Sequence, residues 1–174
     1  MRFAIAAAIV IASLASPAGA GADDGDDPAN SVYVELGGPG LLYSVNYERL
    51  LRPDVSLRVG LGAFAIREDG TEKGMTWLTV PITASYLVGQ RAHRFEVGGG
   101  LATGYAWSDL NQRAGATDDY FLIALAVHAG YRYQPRAGGF LLRALVTPIV
   151  GGRRFAPLRM PVTLWAGLSA GWSF

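Results

Sequence analysis

Eight side chains in this sequence could do acid–base or ion-pair chemistry from one common face. Glu35, Glu48, Arg58, Arg94, Glu96, His128, Arg132 and Arg143 each sit in a stretch where apolar residues alternate with small or polar ones. At a period of two, side chains two positions apart share one face of a strand, so these groups project opposite the apolar face. Inside a closed sheet they would meet one another. A lone buried charge costs several kcal/mol, whereas a paired and hydrogen-bonded one is tolerated. Two readings follow: an ion-pair plug that fills the interior and fixes strand register, or a gate in which arginine and glutamate exchange partners to open a narrow pore. Metal chemistry has little to work with, since His93 and His128 are the only histidines and there is no cysteine. No cofactor is expected. Asp23, Asp24, Asp26 and Asp27 lack the glycine-turned loop and closing glutamate of a calcium site, and read as a solvated charge run.

Met1-Arg2 followed by the apolar run from Phe3 to Leu14 has the form of a secretory signal, and Ala18-Gly19-Ala20 fits its cleavage site, with Ala20-Gly21-Ala22 as a competitor. The expected division is a signal peptide over 1–20, a flexible acidic leader over 21–30 and one domain over 31–174. Without cysteine the chain is neither a lipoprotein nor disulfide-stapled. Once Arg2 leaves with the signal, acidic and basic residues balance, which gives no charge argument for nucleic acid.

The elements that would carry the charged face are strands. Eight candidates span 31–38, 41–50, 54–66, 75–88, 92–106, 120–134, 139–150 and 161–174. The connections Arg52-Pro53-Asp54, Gly89-Gln90-Arg91 and Pro135 to Gly139 are short, whereas Arg67 to Gly74, Ser108 to Asp119 and Gly151 to Arg159 are longer and more polar. Gly38-Pro39-Gly40 falls among the longer set by position and is unusually tight. With 51% hydrophobic residues and no helical pattern, a soluble fold would leave too much apolar surface in water. A barrel with lipid outside resolves that conflict. Giving the apolar parity to lipid collects Tyr47, Tyr86, Phe95, Tyr131, Tyr133, Phe140, Trp172 and Phe174 at one end, and Tyr43, Tyr105 and Phe121 at the other. Aliphatic residues lie between, the pattern of two interfacial aromatic girdles.

The last strand, 162–174, is apolar on one parity and mostly small or polar on the other, with Trp165 the exception. It exceeds the roughly 9–11 residues that a tilted transmembrane strand requires. A terminal Phe174 with Trp172 two positions earlier resembles the end of bacterial outer-membrane β-barrels, where the last strand carries the assembly signal. Over nearly all of its mature length the chain resembles the small eight-stranded OmpA/OmpX-like group. That resemblance implies an all-β fold, an eight-stranded antiparallel up-and-down transmembrane β-barrel, in the outer membrane of a Gram-negative-type bacterium. It implies short periplasmic turns, both termini in the periplasm, and Trp172 and Phe174 as the signal read by the barrel-assembly machinery. Outer-membrane lipid and lipopolysaccharide are the expected partners of a monomer.

On this orientation the charged set lies in the periplasmic half of the lumen. The outer half carries Phe64, Trp77, Tyr120, Leu122, Leu145, Ile149 and Trp165, read either as packed core or as an externally open pocket for a hydrophobic ligand. Some small barrels that the chain resembles are lipid A-modifying acyl hydrolases or acyltransferases, which makes His128 a candidate base. The resembling deacylases place a serine two positions after the histidine. Here His128-Ala129-Gly130 lacks it, so a serine such as Ser44 or Ser169 would have to approach from another strand to within about 3 Å. His93 lies at a periplasmic turn. In the loops, Arg153, Arg154 and Arg159 could pair with lipopolysaccharide phosphates or simply anchor the interface, while Trp107, Asp109 and Asp119 show no spacing that demands a ligand. The expected function is therefore an outer-membrane barrel with a side-chain-filled lumen and a structural or surface-interaction role, without catalysis. A narrow pore or uptake protein for a small, apolar solute is the second reading, and an acyl hydrolase acting through His128 the third.

Overall fold

The computed structural model describes residues 28–67, 74–90, 92–108, 118–151 and 162–174. The expected signal peptide, residues 21–27 of the expected leader, and Asp109, Arg153, Arg154 and Arg159 lie outside the described residues. Eight strands form: β1 (Asn30–Leu36), β2 (Tyr43–Arg52), β3 (Val55–Arg67), β4 (Gly74–Gln90), β5 (His93–Ser108), β6 (Asp118–Tyr133), β7 (Gly139–Gly151) and β8 (Val162–Ser173). Each pairs antiparallel with the next, and β8 returns to β1, so the sheet closes into a barrel in sequence order. Closure reaches the last residue, because Asn30 and Phe174 exchange backbone hydrogen bonds of 3.0 and 2.8 Å.

Alternation decides what each wall presents. Along β7, Leu141, Arg143, Leu145, Thr147 and Ile149 are buried, while Phe140, Leu142, Ala144, Val146 and Val150 are exposed. The sense of hydrophobicity is inverted relative to a water-soluble barrel. The buried face holds Glu35, Glu48, Arg58, Glu96, His128, Arg132 and Arg143, whereas the exposed face carries Leu57, Val59, Ile82, Leu101, Ile123, Leu125 and Val127 in an aliphatic belt. Toward the end that holds Asn30 and Phe174 the belt gives way to exposed Tyr86, Phe95, Tyr131, Phe140 and Trp172, with Tyr47 and Tyr133 half-buried. At the opposite end Tyr105 faces Phe121 in register.

Two prolines sit inside strands, where a missing N–H normally excludes them. Both occur where a ladder is interrupted: pairing between β3 and β4 skips from Val59↔Ile82 to Gly62↔Thr79 around Pro81, and that between β6 and β7 skips from Ala126↔Ile149 to Ala129↔Val146 around Pro148. Beside the first gap the Thr103 hydroxyl donates to the Val80 carbonyl at 2.7 Å, so that oxygen keeps a partner.

The principal departure from the expected strands is at the first connection. β1 stops at Leu36, and Gly38–Gly40 forms a short 3-10 turn that is buried. Gly37 and Gly38 adopt φ of 77° and 70°, a region glycine enters without steric penalty. Strand length explains where the turn ends up. β1 and β2 run for 7 and 10 residues, whereas β4, β5 and β6 run for 17, 16 and 16. The wall is low at β1–β2, and the turn that joins them dips into the lumen.

Glycine makes room inside the wall. A Cβ placed on Gly98 would stand 2.7 Å from His128 Nε2 and closer still to the Ala84 carbonyl. Outward-facing Gly99 would meet nothing nearer than the Ala126 carbonyl oxygen at 3.0 Å. Gly98→Leu is expected to destabilise the folded barrel by about 1–3 kcal/mol through overpacking, and Gly99→Ala by less than about 1 kcal/mol. Urea titrations of the two variants in lipid vesicles measure this, and equal midpoints would mean that the lumen does not confine position 98.

Candidate functional site

The strands deliver the expected charged residues to one place, and an unforeseen residue holds them together. Tyr33 shares the inward parity of Ser31 and Glu35, is 1% exposed, and lies between two guanidinium groups. The Arg143 and Arg58 carbons stand 4.7 and 5.7 Å from its ring centroid. Its hydroxyl donates to Glu48 Oε2 at 3.1 Å and accepts from Arg143 Nη1. The sequence signal for Tyr33 was present in its parity, but an aromatic on a polar face is not by itself a mark of a charge cluster.

Around that hub the pairs are specific. Arg58 makes a two-pronged contact with Glu35, Nη1 to Oε1 at 3.1 Å and Nη2 to Oε2, while its Nε donates to Asn46 Oδ1 at 3.0 Å. Ser169 also donates to Glu35, at 3.3 Å. Arg132 reaches from β6 to Glu48 on β2 across the lumen, touches Glu96 Oε2 at 3.4 Å, and gives its Nε to Gln134 at 2.8 Å. Arg143 grips both oxygens of Glu96, with Nε to Oε2 at 3.0 Å and Nη2 to Oε1. Three carboxylates thus face three guanidiniums, each side chain at most 2% exposed. Planar guanidinium forks and charge-assisted hydrogen bonds suit this geometry. Arg94 is buried as well, and its Nη1 donates to the Pro53 carbonyl at 3.2 Å.

His128 joins the cluster through β4 and β5. Ser85 Oγ lies 2.8 Å from His128 Nε2, so a serine does come within the distance a general base requires. It is Ser85, and neither Ser44 nor Ser169: Ser44 turns to Asn46 at 3.0 Å, and Ser169 to Glu35. The arrangement is nevertheless unlike a nucleophile relay. In a relay the carboxylate orients the histidine through the nitrogen opposite the serine. Here Glu96 Oε1 approaches the same Nε2 at 3.4 Å, and Nδ1 has no hydrogen-bond partner among the described residues. Ser85 donates its proton to Glu96 at 2.9 Å, and that carboxylate is already held by Arg132 and Arg143. Ser85 and His128 are 4% and 0% exposed, which leaves no approach for an acyl chain. The exposed His93 bonds Tyr131 through Nδ1 at 2.5 Å and tilts against Tyr133. Among the described residues no group of three or more His, Asp or Glu is placed to hold a metal ion.

In the outer half of the lumen, expected as packed core or an open pocket, Phe64, Trp77, Ile149 and Trp165 meet around one cluster. Leu41, expected at the start of the second strand, follows the inward turn and packs with Ala102, Ala124, Ala126 and Ile149. Phe64, Trp77 and Trp165 close on this cluster while partly buried, and Phe64 stacks with Trp77 at 6.1 Å. Leu122 and Leu145 are buried outside it. The Tyr120 side chain lies outside the described residues. Trp107 is exposed and tilts against Tyr105; Asp119 is described only by its backbone pairing with Trp107.

Solved structures share this architecture. The N-terminal β-barrel domain of Pseudomonas aeruginosa OprF superposes with a TM-score of 0.56 at 23% identity, covering 85% of this chain and all of that one. Ail, the attachment invasion locus protein of Yersinia pestis, gives 0.53 at 13% identity over 85% and 99% of the two chains, and 0.55 in its complex with the heparin analogue sucrose octasulfate. The fold is therefore that of the small eight-stranded outer-membrane barrels. No protein-family model matches the sequence, and no curated protein matches it significantly.

The charge layer makes a direct prediction. Arg132→Ala leaves Glu48 buried without its ionic partner and is expected to lower stability by about 3–5 kcal/mol. The double variant Arg132→Met with Glu48→Gln, which buries no bare charge at that pair, should recover part of the loss. Urea midpoints in vesicles compare them, and a double variant as unstable as the sum of its singles would show that the two side chains are not coupled.

Proposed function

We propose that this chain is an exported, integral outer-membrane protein whose lumen is closed by its own side chains and whose role is structural or surface-interactive, without catalysis. The observation that carries the reading is the inversion of the two faces: an exposed aliphatic belt between aromatic girdles, around an interior where Glu35, Glu48 and Glu96 pair with Arg58, Arg132 and Arg143. An apolar belt on the outside of a closed barrel is favourable in lipid and unfavourable in water. The paired charges support closure, because an eight-stranded barrel is only wide enough for its own side chains. The serine, histidine and glutamate beside one another support a structural role for His128, since Ser85 and Glu96 share one ring nitrogen.

On this orientation the short turns and both described ends face the periplasm, and Trp172 and Phe174 belong to the periplasmic girdle as the signal for the barrel-assembly machinery. The pore reading requires steady conductance from the unaltered protein. The closed reading requires none, so planar-bilayer recordings separate them.

Membrane insertion has its own test. The folded protein should migrate faster on gels before heating than after, and Leu101→Arg, at the middle of the outward face of β5, should cost about 2–4 kcal/mol of folding stability in vesicles. Unchanged stability for that variant, with the heat-dependent shift absent from both proteins, would overturn the membrane reading.

A further inference from the structure

The Gly38–Gly40 turn is explained neither by the charge layer nor by the apolar belt. As the first loop at the external end it would ordinarily project away from the barrel. Instead Gly38, Pro39, Gly40 and Leu41 are all buried. The turn touches β1 to β5, β7 and β8, so it lies across the lumen rather than against one wall.

Its fit is specific on every side. Below, Gly38 sits over the Glu35 carboxylate so closely that a Cβ would come within 2.8 Å of Cδ. At its entry, a Cβ on Gly37 would collide with the Ala166 carbonyl of β8. The Thr79 hydroxyl of β4 donates to the Gly40 carbonyl at 3.1 Å. The turn is closed on itself by Leu41 N–H to Gly38 O at 3.1 Å and Gly37 N–H to Leu42 O at 2.9 Å. Above, Leu41 holds a φ of 71°, the only non-glycine residue of positive φ among the described residues, and enters the Ala102, Ala124, Ala126 and Ile149 cluster. Apolar burial of that side chain offsets the strain of its backbone and holds it in place.

We infer that the β1–β2 turn is a second closure of the lumen, an intramolecular stopper in series with the ion-pair layer beneath it, so that removing either closure alone leaves the barrel shut. This rests on the reading of the chain as a membrane barrel with a closed lumen. Stacked closures have a simple consequence. A path through the barrel opens only if Arg132 and Glu48 separate and the turn also swings out.

Four full-length proteins in planar bilayers test it, each first checked for heat-dependent gel migration: the unaltered chain, the layer variant Glu48→Gln with Arg132→Gln, the turn variant Leu41→Asp, and all three substitutions together. Leu41→Asp places a charge in the apolar cluster and should expel the turn. The expected result is steady conductance only in the combined variant, at least about tenfold above either partial one. Conductance from the layer variant equal to that of the combined one would overturn the stopper. Conductance from the turn variant alone would instead overturn the ion-pair closure and, with it, the series arrangement. Silence from the combined variant would show that something else closes the barrel, and also overturns it.

A second measurement does not depend on Leu41→Asp folding. The chain has no cysteine, so Leu41→Cys carries a single thiol. A membrane-impermeant maleimide applied to proteoliposomes should modify it at least about tenfold more slowly than in urea-unfolded protein. Rates within about threefold would place the turn outside the lumen and overturn the inference.

Discussion

Three guanidinium groups and three carboxylates enclosed by a ring of strands have no water to turn to, and must neutralise one another. Much of the interior follows from that constraint. Arg132 spans from β6 to Glu48 on β2, and Arg143 from β7 to Tyr33 on β1, so contacts across the lumen fix strands that share no ladder. A slip of one residue in β1, β2, β3, β5, β6 or β7 would turn its charge toward the apolar exterior. The pairing therefore specifies register more than it adds to stability, since a buried ion pair contributes little beyond offsetting its own desolvation. Tyr33 is the element that lets two arginines approach: its ring faces both cations, and its hydroxyl bridges Arg143 to Glu48.

Small residues are the complement of that density. Gly98 leaves space for His128, and Gly60 lies where a Cβ would strike the Asn46 amide that supports Arg58. The same economy of space governs the first turn. A short β1 brings its end to the Glu35 carboxylate, and only glycine at positions 37 and 38 can bend the chain there without collision. The Glu35 carboxylate below and the Leu41 cluster above are thus separated by a backbone turn.

Much of this was legible in the sequence, for a physical reason. A strand of a closed barrel has two environments and a period of two, so parity alone places Glu35, Glu48, Arg58, Arg94, Glu96, His128, Arg132 and Arg143 on the inner face, and Phe95, Phe140 and Trp172 on the outer. What parity does not contain is distance across the lumen. It could not choose Ser85 over Ser44 or Ser169 as the neighbour of His128, because that choice depends on how far β4 is sheared against β6. Nor could it place Leu41, whose position follows from a turn bending inward, or foresee that Arg94 donates to the Pro53 carbonyl. Pro81 and Pro148 read as strand residues despite their missing N–H, and the structure accommodates them by interrupting the ladder at each.

The seam between β1 and β8 differs in kind from the other seven. Every other ladder is a hairpin between consecutive strands, formed locally and at small entropic expense. The seam joins Ser31–Leu36 to Leu168–Ser173 and is completed by the backbone of Phe174 against Asn30, residues from opposite ends of the domain. The long-range part of the contact order is thereby concentrated in one short ladder. Until the last strand is in place the sheet has two open edges, each with unpaired backbone groups. The cooperativity of folding is accordingly gathered at this seam, because without β8 the other seven strands have no closed state to reach.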